Sequence, residues 1–206
     1  YDGHTELLKD LAGCRRVIMS FWSPGLKTLL YTTHLPLAEV CGCMQPEPVR
    51  AFLRLACAEL RRWAGRDVPL LVPGLNPHAG EGGWLGRQEQ DVLEPVLREL
   101  QEEGLPLEGL WPPDTVFLKA LGRPGAWVVS WYHDQGLIPF KLLHFREGVN
   151  LTLGLPFVRT SPDHGTARDI AGQGKADESS MEAAIRLAWR MGQAQAGGGS
   201  TDPFEI

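Results

Sequence analysis

Apolar and polar positions follow two different periods along the chain, and the switch from one to the other recurs. Three times a short run of β-branched, aromatic and leucine residues gives way to a polar turn that carries a histidine. The first run, Thr28-Leu29-Leu30-Tyr31-Thr32-Thr33, meets His34, and the period then predicts a helix over about 48–63. The second, Val68-Pro69-Leu70-Leu71-Val72, enters the turn bearing His78; Leu93, Val96 and Leu100 follow at helical spacing inside a helix expected over 87–103. The third, Ala126-Trp127-Val128-Val129-Ser130-Trp131-Tyr132, ends at His133. A last helix is expected over 180–191, where Ala184, Ile185, Ala188 and Met191 share a face and Ser179 and Glu182 stand at capping-box spacing. Strand runs alternating with helical stretches predict an α/β fold. Past the last helix, Gly197-Gly198-Gly199-Ser200 predicts a flexible tail over 196–206. No internal repeat is visible.

With 206 residues, 43% of them hydrophobic, the chain can bury one full core and part of a second. Its 20 basic and 25 acidic residues leave a net charge of −5, which gives no broad footprint for nucleic acid or an anionic membrane. An anionic ligand therefore needs a local basic pocket. No run approaches the roughly 20 apolar residues of a membrane span, and Tyr1-Asp2-Gly3-His4 is not a signal-peptide start, so a cytoplasmic enzyme is expected. Cys14, Cys41, Cys43 and Cys57 lack CxxC spacing and are read as reduced thiols, with Cys41-Gly42-Cys43 kept as a metal or redox candidate. The chain does not begin with Met, and Gly3-His4-Thr5-Glu6 reads as the middle of an element; a fragment is expected.

In open α/β sheets, ligands gather at the carboxyl ends of the strands, and His34, His78 and His133 each follow an expected strand. Three neutral imidazoles make a good ligand set for a borderline divalent ion such as zinc and leave positions for substrate oxygens. Taken singly, each histidine is more readily read as a capped or hydrogen-bonded surface residue; the shared position after a strand favours the ligand reading. The turn Gly74-Leu75-Asn76-Pro77-His78-Ala79-Gly80-Glu81-Gly82-Gly83 admits an anion cradle, because successive backbone N–H groups before a helix hold phosphate, and also a merely tight turn. It is no dinucleotide fingerprint: a GxGxxG pattern begun at Gly80 meets Leu85 where its last glycine belongs.

Taken together, several rare strings stand in one order from Gly3 to about Met191. They are Gly3-His4-Thr5-Glu6, Thr32-Thr33-His34-Leu35-Pro36-Leu37, Asn76 through Gly83, Pro113-Asp114-Thr115, Tyr132-His133-Asp134-Gln135-Gly136, Gly148-Val149-Asn150 and Asp163-His164-Gly165-Thr166-Ala167. In this the chain closely resembles the 4-hydroxythreonine-4-phosphate dehydrogenase family. The resemblance implies a fold like that of isocitrate and isopropylmalate dehydrogenases, with two α/β domains, a cleft between them and a homodimer. It places metal ligands on His34, His78 and His133, one of them reaching in from the partner subunit, and substrate contacts on His4, Thr5, Lys141, Asn150 and Arg159. It implies a metal-bearing, dimerising domain over 1–150 and the C-terminal part of the cleft domain over 151–195. The family's N-terminal segment, with its Gly-Asp-Pro-Ala-Gly-type motif, has no counterpart here. His144 and His164 are given only supporting roles.

The activity so implied is the NAD-dependent, divalent-metal-dependent oxidation of 4-phosphooxy-L-threonine, with decarboxylation to 3-amino-2-oxopropyl phosphate, in vitamin B6 synthesis. Zinc is the first choice of metal, with magnesium or cobalt as alternatives. Within this reading Lys141 is the candidate acid/base and Asp114 a second or orienting group, and no residue is assigned to NAD. Cationic and amide side chains suit a phosphorylated amino acid. Two rival readings use the same motifs: a dehydrogenase of 4-phospho-D-threonate or 4-phospho-D-erythronate, and a metal-binding remnant without catalysis. A metal hydrolase would have no use for the Lys141, Asn150 and Arg159 set.

Overall fold

The computed structural model describes residues 1, 3–123, 125–197 and 202–205. In chain order the elements are α1 (His4–Leu11), β1 (Ile18–Trp22), β2 (Lys27–Leu30), α2 (Leu37–Cys43), α3 (Pro46–Ala64), β3 (Leu70–Pro73), α4 (Glu94–Glu102), β4 (Leu107–Trp111), α5 (Val116–Leu121), β5 (Trp127–Ser130), α6 (His133–His144), β6 (Val149–Leu153), β7 (Thr160–Pro162) and α7 (Ser179–Gly197). The strands form one mixed α/β sheet in the order β4-β3-β5-β2-β1-β6-β7. β4, β3, β5 and β2 are parallel, whereas β1, β6 and β7 continue the sheet antiparallel.

The parallel strands β2, β3 and β5 are buried at every residue and mostly apolar because helices cover both faces. Leu29, Leu70, Val72, Trp127 and Val129 face a core shared with α3, α4 and α7, and the alternate residues Leu30, Leu71 and Val128 face a second core under α5 and α6. The side-chain period of two thus sorts each strand between two helical layers.

Helix α3 begins two residues before the expected start, with Pro46 and Pro48 in its first turn, and stops at Gly65, whose φ of 68° suits a residue without Cβ. The helix expected over 87–103 opens instead with a π-type turn, Glu89–Leu93, before α4. At α7 the Ser179/Glu182 capping box does not form. Asp177 Oδ1 accepts the Ser179 N–H at 3.0 Å and its hydroxyl at 2.5 Å, and Glu182 pairs with Arg186.

Two expected boundaries meet continuous structure. A domain break at 150 would cut β6, all five residues of which pair with β1 in the same sheet. The tail over 196–206 is not free where it is described: Phe204 is buried edge-on against Trp127, its carbonyl accepts the Trp22 indole N–H at 3.3 Å, and Arg66 pairs with Asp202 and Glu205. Residues 198–201 lie outside the described residues. The four cysteines are free thiols, and burial pushes Cys57 up to about 12. Among the described residues, no helix is long and apolar enough to cross a membrane.

Candidate functional site

β3, β5 and β2 are neighbours and parallel, so their carboxyl ends open on one edge of the sheet. His78, His133 and His34 follow these three strands in that order. His133 is the first residue of α6, and its Nδ1 lies 2.6 Å from Asp134 Oδ1. This carboxylate orients the ring and leaves Nε2 outward, the arrangement found behind metal-bound histidines. His34 stands beside it, with ring centroids 5.8 Å apart. Two imidazoles on one tetrahedral ion, with bonds of about 2.0–2.1 Å, have ring centres roughly 5 to 6 Å apart. The ring separation alone falls within that range.

His78 is placed differently. It lines a separate, mostly apolar cavity of about 660 Å³ together with Asp114, Asp134, Gln135 and residues of α5 and α6. Among the described residues, no three His, Cys, Asp or Glu side chains form a group able to hold an ion. The expected trio is thus two histidines side by side and a third across Tyr132 and Asp134, which contribute to both cavities. Asp114 is exposed and belongs to the His78 wall, apart from the Lys141 cluster described below.

The turn carrying His78 is a left-handed helical turn: φ is 52°, 52°, 80°, 44° and 62° from His78 to Gly82. Three of these residues have a Cβ, and each left-handed L-residue costs about 1–2 kcal/mol. Glu89, 1% exposed, holds the turn closed. Its Oε1 accepts the Leu75 and Asn76 backbone N–H groups, both at 2.8 Å, and its Oε2 accepts the Asn76 side-chain amide at 2.9 Å. The Leu75 and Asn76 amides of the supposed anion cradle are therefore satisfied by the chain's own carboxylate. Gly74 is required here, since a Cβ would lie 2.6 Å from Ala79 Cα.

Buried Gln135 couples this turn to α6, accepting the Trp131 N–H at 2.7 Å and donating to the Gly74 carbonyl at 3.0 Å. Gly136 lets α6 descend on the sheet, where a Cβ would meet Ser130 Oγ at 2.5 Å. The Tyr132-to-Gly136 string thus has local reasons: an imidazole, its carboxylate, an amide clamp and a close approach.

A second group assembles on the β6–β7 hairpin. Val149, Leu151 and Leu153 enter the core, so Asn150 and Thr152 point to the other face. Arg159 stands opposite Thr152, donating to its hydroxyl at 2.7 Å and to Thr5 Oγ1, on α1, at 3.2 Å. Burial lowers the Arg159 pKa, with Glu6 opposing. Asn150 Oδ1 is buried without a partner among the described residues. Lys141, on α6, reaches Asp163 just past β7: Nζ is 3.1 Å from Oδ1 and 3.3 Å from the carbonyl oxygen. Burial raises the Asp163 pKa, while Lys141, His133 and His164 oppose the rise. The structure therefore gathers Thr5, Asn150, Arg159 and Lys141 around one hairpin; His4 is exposed at the start of α1. His144 pairs with Glu147 at 2.8 Å and His164 is exposed. Cys41 and Cys43 lie on the short helix α2 and join no metal cluster among the described residues.

Glu89, Gln135 and Asp163 were not singled out in the sequence. A polar residue inside an apolar period marks Glu89, between Leu85 and Val92, and Gln135 is flagged only by its place in the Tyr132-to-Gly136 string. Asp163 is likewise flagged only by its place in the Asp163-to-Ala167 string.

The mixed sheet, with histidines at the carboxyl ends of its parallel strands and a cation–amide group beside the adjoining hairpin, places the chain in the α/β class of folds. Within that class, the chain belongs to the family described as pyridoxal phosphate biosynthetic protein PdxA, whose pattern matches residues 1–188. It is 48% identical over 194 residues to a 4-hydroxythreonine-4-phosphate dehydrogenase of Marinobacter nauticus, covering 94% of this chain and 58% of that protein. The crystal structure of 4-hydroxythreonine-4-phosphate dehydrogenase from Klebsiella pneumoniae superposes with a TM-score of 0.84 at 41% identity, over 94% of this chain and 59% of that one. A terephthalate 1,2-cis-dihydrodiol dehydrogenase from Burkholderia xenovorans gives 0.71 at 31%, over 90% and 60%. The chain thus spans less than two thirds of the length of these relatives.

Proposed function

We propose that the protein is an NAD-dependent, divalent-metal-dependent dehydrogenase of 4-phosphooxy-L-threonine, forming 3-amino-2-oxopropyl phosphate after decarboxylation, within pyridoxal phosphate synthesis. The observation that carries this reading is the meeting of Arg159, Lys141, Asn150 and Thr5 on one hairpin in a chain of net charge −5. Local cations and amides are what a phosphorylated amino acid needs in an otherwise acidic protein. The names of the Marinobacter and Klebsiella relatives support the same substrate.

His34, His78 and His133 would hold the ion, zinc first and magnesium or cobalt as alternatives, with one histidine supplied by a second copy. The 5.8 Å spacing of His34 and His133 and the Asp134 carboxylate behind His133 support it. When bound, the ion would supply Lewis acidity at the substrate hydroxyl, and NAD would supply the hydride acceptor. Arg159 and Lys141 bind the anionic groups, Asn150 accepts from a donor on the substrate, and Thr5 orients Arg159. His4, exposed beside Thr5, contacts the substrate from α1. Lys141 is the acid/base; Asp114, on the His78 wall, orients that histidine. A homodimer is supported by the exposed apolar face of α5 and α6, where Leu118, Ile138 and Leu142 are 69%, 65% and 83% exposed. The whole protein would have a two-domain fold like that of isocitrate dehydrogenase, with a cytoplasmic location.

The test is NADH formation by the intact protein on 4-phosphooxy-L-threonine, 4-phospho-D-threonate and 4-phospho-D-erythronate. Turnover of the first well above the others is expected. Preference for a threonate or erythronate moves the assignment to that substrate class, and metal binding without turnover of any of them identifies a remnant.

A further inference from the structure

We propose that Asp163 is a positioning residue that fixes the direction of the Lys141 ammonium, so that one N–H remains aimed at an anionic ligand. The inference deepens the reading above and depends on it only for the ligand's identity.

A lysine ammonium has three N–H donors on a stem of four rotatable bonds, and is ordinarily a mobile point charge. Here the ammonium makes two contacts with a single residue, an ion pair with Asp163 Oδ1 at 3.1 Å and a hydrogen bond to its carbonyl oxygen at 3.3 Å. Two contacts with one rigid residue restrict the directions in which the remaining N–H groups point. Asp163 is itself rigid: its backbone N–H donates to Ser180 Oγ at 2.9 Å, and that hydroxyl donates to the Gly148 carbonyl at 2.6 Å. The contact thereby ties α6 to the start of α7 and to the turn before β6.

The pair differs from a solvated surface ion pair. The Asp163 side chain is only 7% exposed, whereas 39% of the Lys141 side chain is exposed to solvent. Asp163 Oδ2 is buried without a hydrogen-bond partner among the described residues, so Lys141 is the carboxylate's sole hydrogen-bonded cation there. His133 and His164 face the same carboxylate at longer range. Removing Asp163 frees Lys141 to sample many rotamers, and misplacing a binding group by about 1 Å can cost roughly a hundredfold in rate.

The experiment labels lysine with 15N in the intact protein and reads the order of the Lys141 ammonium by NMR, its signal identified by loss in Lys141→Arg. We expect an ordered ammonium that exchanges protons slowly with water. Asp163→Ala should lower its order to that of exposed Lys175, and Asp163→Asn, which keeps an oxygen at Oδ1 and the carbonyl, should fall between. In kinetics, kcat/KM on the phosphorylated substrate should drop about 10- to 100-fold in Asp163→Ala, with partial rescue in Asp163→Asn. Lys141 as mobile as Lys175 in the unaltered protein, or unchanged in Asp163→Ala, overturns the proposal. If Asp163→Ala does not fold, Asp163→Asn decides: reduced Lys141 order supports the proposal and unchanged order refutes it. An unaltered protein without dehydrogenase activity defeats the functional reading, while the ammonium's order still decides this one.

Discussion

Replacing Glu89 tests whether one buried carboxylate holds the left-handed turn that presents His78. Glu89→Ala removes three charge-assisted hydrogen bonds, to Leu75 N, Asn76 N and Asn76 Nδ2. Each such bond contributes about 1.5–3 kcal/mol gross, but removing the carboxylate also relieves its own desolvation. The net loss should be about 3–5 kcal/mol, the range for breaking a buried charged network. At roughly 2–4 °C per kcal/mol for a chain of this size, Tm should fall by about 6 to 20 °C. Glu89→Gln keeps an oxygen for the two backbone amides but turns an N–H₂ toward Asn76, so about 1–3 kcal/mol is expected. Thermal unfolding by circular dichroism gives both values, and limited proteolysis reads the turn itself, because strained left-handed residues open first once their clamp is gone. The reasoning is refuted if Glu89→Ala melts within a degree of the unaltered chain and 78–86 stays protected. A large Tm loss with the turn still protected would place the effect elsewhere in the core.

Other consequences are more direct. Equilibrium dialysis with zinc should show binding abolished in His78→Ala, and mixing His78→Ala with His34→Ala should restore part of it if His78 is supplied by a second copy; full binding in every single variant would remove the trio. Arg159→Ala should weaken a phosphorylated substrate by about one to two orders of magnitude, from the roughly 1.5–3 kcal/mol of a charge-assisted bond, and calorimetry against the dephosphorylated analogue tells phosphate from carboxylate recognition. Phe204→Ala, which empties a buried site against Trp127, should cost about 3–5 kcal/mol, and an unchanged Tm would show that the tail is not docked. Asp177 is held down to about 2 by Ser179 and Arg146, so its stabilising effect is present above the ordinary carboxylate value and is lost as pH falls from about 4 through 2. Asp177→Asn should lower stability at neutral pH, with the difference from the unaltered chain shrinking as pH falls from about 4 through 2.

The sequence was most legible where one period rules a whole element. β3 and β5 sit between two helical layers, so both faces select apolar residues and the runs 70–72 and 127–129 declare themselves. The three histidines were legible for the same reason, because each strand end is visible and ligands gather there. Their convergence was not: the distance from His34 to His133 depends on β2 lying beside β5, and the position of His78 depends on a left-handed turn that a string of glycines permits without requiring.

The substrate group was legible only as a resemblance, and the structure supplies its physical cause. Asn150 and Thr152 stand on β6 between Val149, Leu151 and Leu153, an alternation that reads equally well as a half-exposed edge. Opposite them the partner strand is three residues long and short of large apolar side chains, too weak a period to register. The antiparallel pairing of Asn150 with Ser161 and the hydrogen bond from Thr152 N to Arg159 O set their register. That register turns Arg159 toward the same face as Asn150, and Asp163, two residues past Ser161, meets Lys141 of α6 there. A shift of one residue along β7 would send Arg159 and Asp163 to the α7 side, where Thr160 now donates to the Ala184 carbonyl. The charge cluster is therefore a property of strand register, fixed by the core residues that β6 buries, and no spacing rule along the chain contains it.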